Sequence, residues 1–177
     1  LFFATISIMN LKKVIVVMGT RPEAIKMASI YLALKESLLF EVKLLITAQH
    51  RELLDGVLEF FELTPDYDLD IMKDNQDLFD ITTNVMNKIK EVYFIEKPDL
   101  VLTQGDTTTT FVSSLAAFYM KIKVGHIEAG LRTGIKFSPY PEEMNRLMTS
   151  RLADFHFAPT EVAKNNLAKE GVPAEKL

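Results

Sequence analysis

The sequence predicts an α/β domain built on a doubly wound, mainly parallel sheet with helices on both faces. Six short strand-like runs alternate along the chain with longer segments of helical periodicity, the pattern of parallel strands joined by crossover helices. Glycine, proline and aspartate stand at the junctions, where turns are needed. A length of 177 residues suits one domain with a substantial core.

The first unit sets the pattern. Lys13-Val14-Ile15-Val16-Val17 is apolar and β-branched and reads as a buried strand. Met18-Gly19-Thr20-Arg21-Pro22-Glu23 turns it into a helix over 24–35, where Ile25, Ala28, Leu32 and Lys35 fall at helical spacing. Gly19 permits a tight turn, Thr20 and Glu23 have the spacing of a capping box, and Pro22 suits the first helical turn. Such a turn leaves free N–H groups at the end of a strand, an anion site. Arg21 lies in the turn, and Lys26 leans back toward it from one turn along. Two cations beside free amides suit a diphosphate; the alternative is two solvated helix charges. Neither G-x-G-x-x-G nor a Walker A lysine motif is present.

The remaining units repeat the scheme. Residues 41–47 form a second strand, Ala48-Gln49-His50-Arg51 its loop, and Leu53, Leu54, Val57, Leu58 and Phe61 an amphipathic helix. Tyr67, Leu69 and Ile71 alternate with Asp68, Asp70 and Met72 in a short half-exposed strand. A long helix over 77–96 turns Leu78, Ile81, Val85, Ile89 and Val92 inward and stops at Lys97-Pro98. Leu100 to Thr103 is the fourth strand, closed by Gln104-Gly105-Asp106. Four threonines, Thr107 to Thr110, then offer hydroxyls to cap the next helix. Lys123 to Ile127 is the fifth strand, with Glu128 to Gly134 as its loop. Ser138-Pro139-Tyr140-Pro141 is expected to be extended and rigid before a helix over 142–152. A sixth strand over 154–158 and a last helix from Thr160-Glu161 to Gly171 complete the chain.

Composition bounds the function. A net charge of −4 offers no basic field to nucleic acid or to an acidic membrane surface. The absence of cysteine removes disulfides and thiol catalysis and is compatible with a reducing cytoplasm. Leu1 to Ile8 is apolar but lacks a basic segment and a cleavage site and is too short to span a bilayer. It reads as loosely packed sequence upstream of Met9, so residues 1–12 are expected to be an extension and 13–177 the domain.

In doubly wound sheets, ligands bind beyond the carboxyl ends of the strands. Three acids fall there: Asp106, Glu128 and Glu142. Converging carboxylates beside cations are how a fold tunes one acid and one base at neutral pH. Each also has a simpler account. Asp106 could cap the following helix, and Glu142 could serve the helix dipole and pair with Arg146 at i+4. Glu128 has the weakest such account. His50, His126 and His156 lack metal-ligand spacing. His126 reads as a satisfied core histidine, and His50 sits in a loop that could touch a ligand. Phe60, Phe61 and Phe118 read as core.

Five blocks now occur in order: Gly19-Thr20-Arg21-Pro22-Glu23-Ala24-Ile25-Lys26-Met27-Ala28; Thr47-Ala48-Gln49-His50-Arg51; Gly105-Asp106-Thr107-Thr108-Thr109; Gly125-His126-Ile127-Glu128-Ala129-Gly130-Leu131-Arg132-Thr133; and Pro141-Glu142-Glu143 with Asn145-Arg146. From about Lys13 to its end the chain resembles the non-hydrolysing UDP-N-acetylglucosamine 2-epimerases. The resemblance implies the first half of a glycosyltransferase-B-like fold, two Rossmann-like domains with the active site between them. It implies interconversion of UDP-N-acetylglucosamine and UDP-N-acetylmannosamine through a 2-acetamidoglucal intermediate, without metal or nicotinamide. On the matching positions it implies Asp106, Glu128 and Glu142 as acid–base groups. It implies Arg21, Lys26, Arg132 and Arg146 as substrate-binding residues, and Gln49 and His50 as part of a regulatory site for a second UDP-N-acetylglucosamine. A cytoplasmic homodimer acting in polysaccharide biosynthesis is the expected setting. Gln104 and Ser29 stand where some relatives carry histidine and proline.

The resemblance also implies a second domain, holding the uridine, that these 177 residues do not contain. Without it the cleft cannot close around the sugar, and this chain alone is expected to be inactive. The alternatives are half of a glycosyltransferase of the same fold, or a non-catalytic module for nucleotide-sugar binding or dimerisation.

Overall fold

A computed structural model describes residues 11–48, 51–72 and 75–177. Six strands form one parallel sheet: β1 (Lys12–Met18), β2 (Phe40–Ile46), β3 (Tyr67–Asp68), β4 (Leu100–Gln104), β5 (Lys123–Ile127) and β6 (Phe155–Phe157). Their spatial order is β3-β2-β1-β4-β5-β6, so the direction of winding reverses between β1 and β4. The helices are α1 (Arg21–Glu36), α2 (Arg51–Phe60), α3 (Leu78–Glu96), α4 (Thr108–Tyr119), α5 (Glu142–Leu152) and α6 (Glu161–Lys169). This is the doubly wound Rossmann-like arrangement, and its crevice lies at the β1/β4 reversal.

Alternation along β1 builds both faces. Ile15 and Val17 pack with Val85, Ile89 and Tyr93 of α3 and Val112 of α4. Val14, Val16 and Met18 pack with Ala24, Met27 and Tyr31 of α1 and Leu54 and Val57 of α2. A strand covered on both faces has no polar positions to spare, which is why β1 reads as a continuous apolar run. The sequence expectation for β3 is too long. Only Tyr67 and Asp68 pair with β2, although Leu69 and Ile71 are buried beyond them.

Some expected inward faces are rotated. In α1 the buried apolar set is Ala24, Met27, Ala28 and Tyr31, spaced i, i+3, i+4 and i+7, while Ile25 and Leu32 are exposed. Phe60 and Phe118 are also exposed, not core. In α2 the inward positions belong to Leu54, Val57 and Leu58, which leaves Phe60 on the other side. The stretch before α5 is not extended: residues 136–141 form turns and bends. Among the described residues, no helix is long and apolar enough to cross a membrane. The expectations for residues 1–8 and for Gln49 and His50 lie outside the described residues.

Candidate active site

The site grows from three helix N-termini that meet beyond the strand ends. Thr20 and Pro22 of the α1 entry, Thr107 and Thr108 at the α4 entry, and Pro141, Glu142 and Asn145 at the α5 entry line a cleft of about 350 Å³, with Leu78 of α3 on its wall. Thr107 caps α4, its hydroxyl oxygen accepting the Thr110 N–H at 3.1 Å.

The anion site expected after Gly19 is already filled by the protein itself. Glu23 is buried, and its Oε2 accepts the N–H groups of Gly19 at 2.5 Å and Thr20 at 2.8 Å. The Thr107 hydroxyl donates to Oε1 at 2.6 Å. Burial raises the Glu23 carboxyl above its ordinary value, and the bonds from Thr107, Gly19 and Thr20 oppose that rise. This carboxylate therefore ties the β1–α1 turn to the start of α4, across the reversal point. Gly19 has no room for a side chain: a Cβ there would lie 2.9 Å from Thr47 Oγ1 and 3.0 Å from Thr109 Cβ.

Arg21 and Lys26 do not share one pocket. Arg21 is exposed and lines a groove of about 520 Å³ with Ile25, Leu53, Gly56 and Phe60. Lys26 reaches over the strand ends, its Nζ 2.8 and 2.7 Å from the two carboxylate oxygens of Glu128. Glu128 sits in the left-handed region at φ 63 and also accepts a short hydrogen bond from the Gln104 side-chain amide. Gln104 is buried at the end of β4.

Asp106 is the second residue beyond β4. Its Oδ2 pairs with Arg146 Nη2 at 2.8 Å, and its carbonyl accepts from Asn145 Nδ2 at 3.0 Å. Burial pushes the Asp106 carboxyl up. Arg146 pulls it down, the charges of Glu142 and Glu128 push it further up, and Lys26 pulls it down. The three acids and two of the predicted cations thus share one electrostatic neighbourhood. Arg146 does not pair with the Glu142 carboxylate. It turns to Asp106 and to Glu143, 3.6 Å away, and meets only the carbonyl of Glu142, at 3.4 Å. Packing of α5 against α4 makes that choice, which local spacing cannot.

Arg132 is not brought to the cleft. Its Nε donates to Glu170 Oε1 at 2.7 Å, and its Nη2 to Glu170 Oε2 and to Ser150 Oγ. It borders a separate groove of about 590 Å³ with Glu143, Asn166 and Glu170. Glu143 is engaged there too, accepting the N–H groups of Thr133 and Gly134. Burial works against its charge, but those N–H groups and Arg146 outweigh it and hold the carboxyl below its ordinary value.

His126 is buried but only half satisfied. One ring nitrogen, Nε2, lies 2.7 Å from the Gly105 carbonyl, and the other has no hydrogen-bond partner among the described residues. Glu23, Gln104, Asn145 and His126 therefore support the site without having been singled out for it by sequence reasoning. The capping-box spacing of Glu23 and the strand-end place of Gln104 were the available signals.

The family model for UDP-N-acetylglucosamine 2-epimerase matches residues 32–177. A UDP-N-acetylglucosamine 2-epimerase of Neisseria meningitidis is 59% identical over 165 residues, covering 93% of this chain and 44% of the relative. The crystal structure of a Neisseria meningitidis UDP-GlcNAc 2-epimerase bound to UDP-GlcNAc superposes with a TM-score of 0.89 at 59% identity, over 93% of this chain and 45% of that one. That of Methanocaldococcus jannaschii, in complex with UDP-GlcNAc and UDP, gives 0.87 at 38% identity, over 93% and 45%. This chain spans less than half the length of these relatives. With 146 of its 177 residues inside the family match (32 through 177), the chain belongs to the UDP-N-acetylglucosamine 2-epimerase family.

Proposed function

We propose that this chain carries the acid–base half of an active site that interconverts UDP-N-acetylglucosamine and UDP-N-acetylmannosamine. The observation that carries this reading is the gathering of Asp106, Glu128 and Glu142 with Lys26 and Arg146 at the carboxyl ends of β4 and β5. In the proposed reaction one carboxylate removes the C2 proton of the sugar. The C–H electron pair forms the C1–C2 double bond of 2-acetamidoglucal, and UDP departs with the C1–O pair. UDP then adds back at C1 while a second carboxyl group delivers a proton to the opposite face of C2. Lys26 and Arg146 supply positive charge where the diphosphate oxygens become more negative. Arg21, an exposed side chain on the first residue of α1, lines a different groove and would have to turn away from it to reach the same phosphates. Arg132 has no part in this reading, because Glu170 and Ser150 hold its guanidinium.

The open cleft limits what this chain does by itself. It does not exclude water or fix the sugar, both of which the elimination requires. The test compares this chain alone with a completed chain, in which the unmatched remainder of the Neisseria meningitidis relative follows Leu177. UDP-N-acetylmannosamine is expected from the completed chain, and none above an Asp106→Asn control from this chain alone. A folded completed chain that binds UDP-N-acetylglucosamine without epimerising it defeats the reading.

A further inference from the structure

His126 lies on β5, between Thr103 of β4 and His156 of the edge strand β6, with no exposed surface. Its Nε2 is 2.7 Å from the carbonyl oxygen of Gly105. A carbonyl only accepts, so Nε2 carries the proton and Nδ1 is a bare lone pair. Nδ1 is one of three buried side-chain polar atoms without a hydrogen-bond partner among the described residues. An unpaired buried acceptor costs stability, so packing alone does not account for an imidazole here; an apolar side chain of similar size fills the place without that cost.

What the ring holds is specific. The Gly105 carbonyl belongs to the peptide plane that contains the Asp106 N–H. Gly105 has φ +76 and no Cβ to restrict rotation about its Cα–C bond, so backbone preference alone does not fix the plane that follows it. The next plane, which contains the Asp106 carbonyl, is held by Asn145 Nδ2 at 3.0 Å. The two peptide planes that flank the Asp106 Cα are each anchored by a buried side chain, one from β5 and one from α5. With both planes fixed, the direction of the Asp106 Cα–Cβ bond is fixed, and Arg146 completes the placement at the carboxylate.

We infer that His126 is a positioning residue for Asp106, acting as a neutral single-tautomer donor that locks the Gly105–Asp106 peptide. The inference rests on the reading of Asp106 as an acid–base group. Burial holds the His126 ring well below its ordinary range, at about 4. The Gly105 bond opposes this, and the charges of His156, Arg132 and Arg146 reinforce it. The donor is therefore unprotonated at Nδ1 across the neutral range, and its bond to Gly105 does not change with pH there.

Two measurements test this. Nitrogen-15 spectra of the imidazoles in this chain should show His126 protonated at Nε2 and bare at Nδ1, unchanged from about pH 8 to about pH 5.5. In the completed chain, His126→Leu should lower kcat by ~10- to ~10²-fold with KM within about threefold, the size expected of a small misplacement of a reacting group. His126→Gln, which keeps an amide donor at similar reach, should recover most of that loss. A protonated Nδ1, a ring titrating near its ordinary value, or a His126→Leu enzyme with normal kcat overturns the inference. So does a folded His126→Gln enzyme no better than His126→Leu, and His126→Gln carries the kinetic arm if the leucine variant does not fold. A wrong tautomer in an active enzyme defeats this inference alone; an inactive completed wild type defeats the proposed function, and this inference with it.

Discussion

Lys26 of α1 and Glu128 at the end of β5, 102 residues apart in sequence, form a two-point ion pair across the strand ends, at 2.8 and 2.7 Å. The pair spans the β1/β4 reversal, and the Glu128 side chain stays 25% exposed. Glu128 Oε2 also accepts from Gln104, so Oε1, bonded to Lys26 alone among its described partners, is the less engaged oxygen. Lys26→Met removes both the tether and the charge proposed to face the phosphates. In the completed chain it should lower kcat/KM by ~10²-fold, as expected for loss of a charge-assisted contact in a reacting site. Lys26→Arg, which keeps the charge but not the compact ammonium, should recover only part. A Lys26→Met enzyme with kcat/KM near wild type would remove this residue from the site.

Glu23 carries the complementary load beneath the cleft. Glu23→Ala leaves the buried N–H of Gly19, the N–H of Thr20 and the Thr107 hydroxyl without their acceptor. Stability should fall by on the order of 3 kcal/mol, because unmet buried donors cost more than the bond itself is worth. Glu23→Gln keeps the volume and one acceptor oxygen and should cost less. Urea unfolding at neutral pH measures both. If Glu23→Ala unfolds at the wild-type midpoint, the carboxylate is not what joins the two turns.

The fold was legible because its signal is local. β1 sits between two helical layers, so its pattern is a plain apolar run, and Gly19, Thr20 and Glu23 announce the turn beyond it. The candidate site was legible in outline because Asp106, Glu128 and Glu142 all fall past strand ends, where the doubly wound topology gathers them. What local spacing could not give is partner choice. Spacing allows Arg146 to pair with Glu142, yet α5 lies against α4 and delivers Arg146 to Asp106. Spacing gives the capping box of Thr20 and Glu23, yet not the Thr107 hydroxyl, which closes on the other Glu23 oxygen from the entry of α4. Arg132 follows directly from a strand-end loop, and a glutamate 38 residues later, at the end of α6, draws it away. Each of these outcomes is decided by tertiary packing.

The depressed pKa of His126 makes stability depend on pH with a definite sign. In the unfolded chain the ring takes up a proton around its ordinary 6.5; in the folded chain it does so only at about 4. Between those values the unfolded state binds more protons. The contribution of neutral His126 is thus complete above pH 6.5 and is lost as pH falls toward 4, by on the order of 3 kcal/mol in all. The raised carboxyls of Glu23 and Asp106 act in the opposite sense, since the folded state binds their protons first. They are common to wild type and His126→Gln and cancel in the comparison. The stability difference between wild type and His126→Gln should therefore move in favour of the variant by about 2 kcal/mol between about pH 7 and about pH 5. Urea unfolding of both proteins at the two pH values reads this directly, and parallel changes would show that the ring is not held neutral.

The three acids are the sharpest test of the proposed chemistry. Elimination removes a weakly acidic C2 proton from one face of the sugar, and re-addition delivers a proton to the other, so one carboxylate cannot serve both faces. The surroundings of the acids already differ: Asp106 is raised by burial and faces Arg146, whereas Glu128 is gripped by Lys26 and Gln104. Glu142 stands at the start of α5, on the cleft wall. In the completed chain, Asp106→Asn, Glu128→Gln and Glu142→Gln should each reduce kcat by ~10²-fold or more with smaller effects on substrate binding, the signature of lost proton transfer. Incorporation of solvent deuterium at C2 separates their roles. A variant that still exchanges the C2 proton but forms no epimer has lost delivery to the second face; one that exchanges nothing has lost the initial abstraction. Any of the three whose amide variant turns over at the wild-type rate is not an acid–base group.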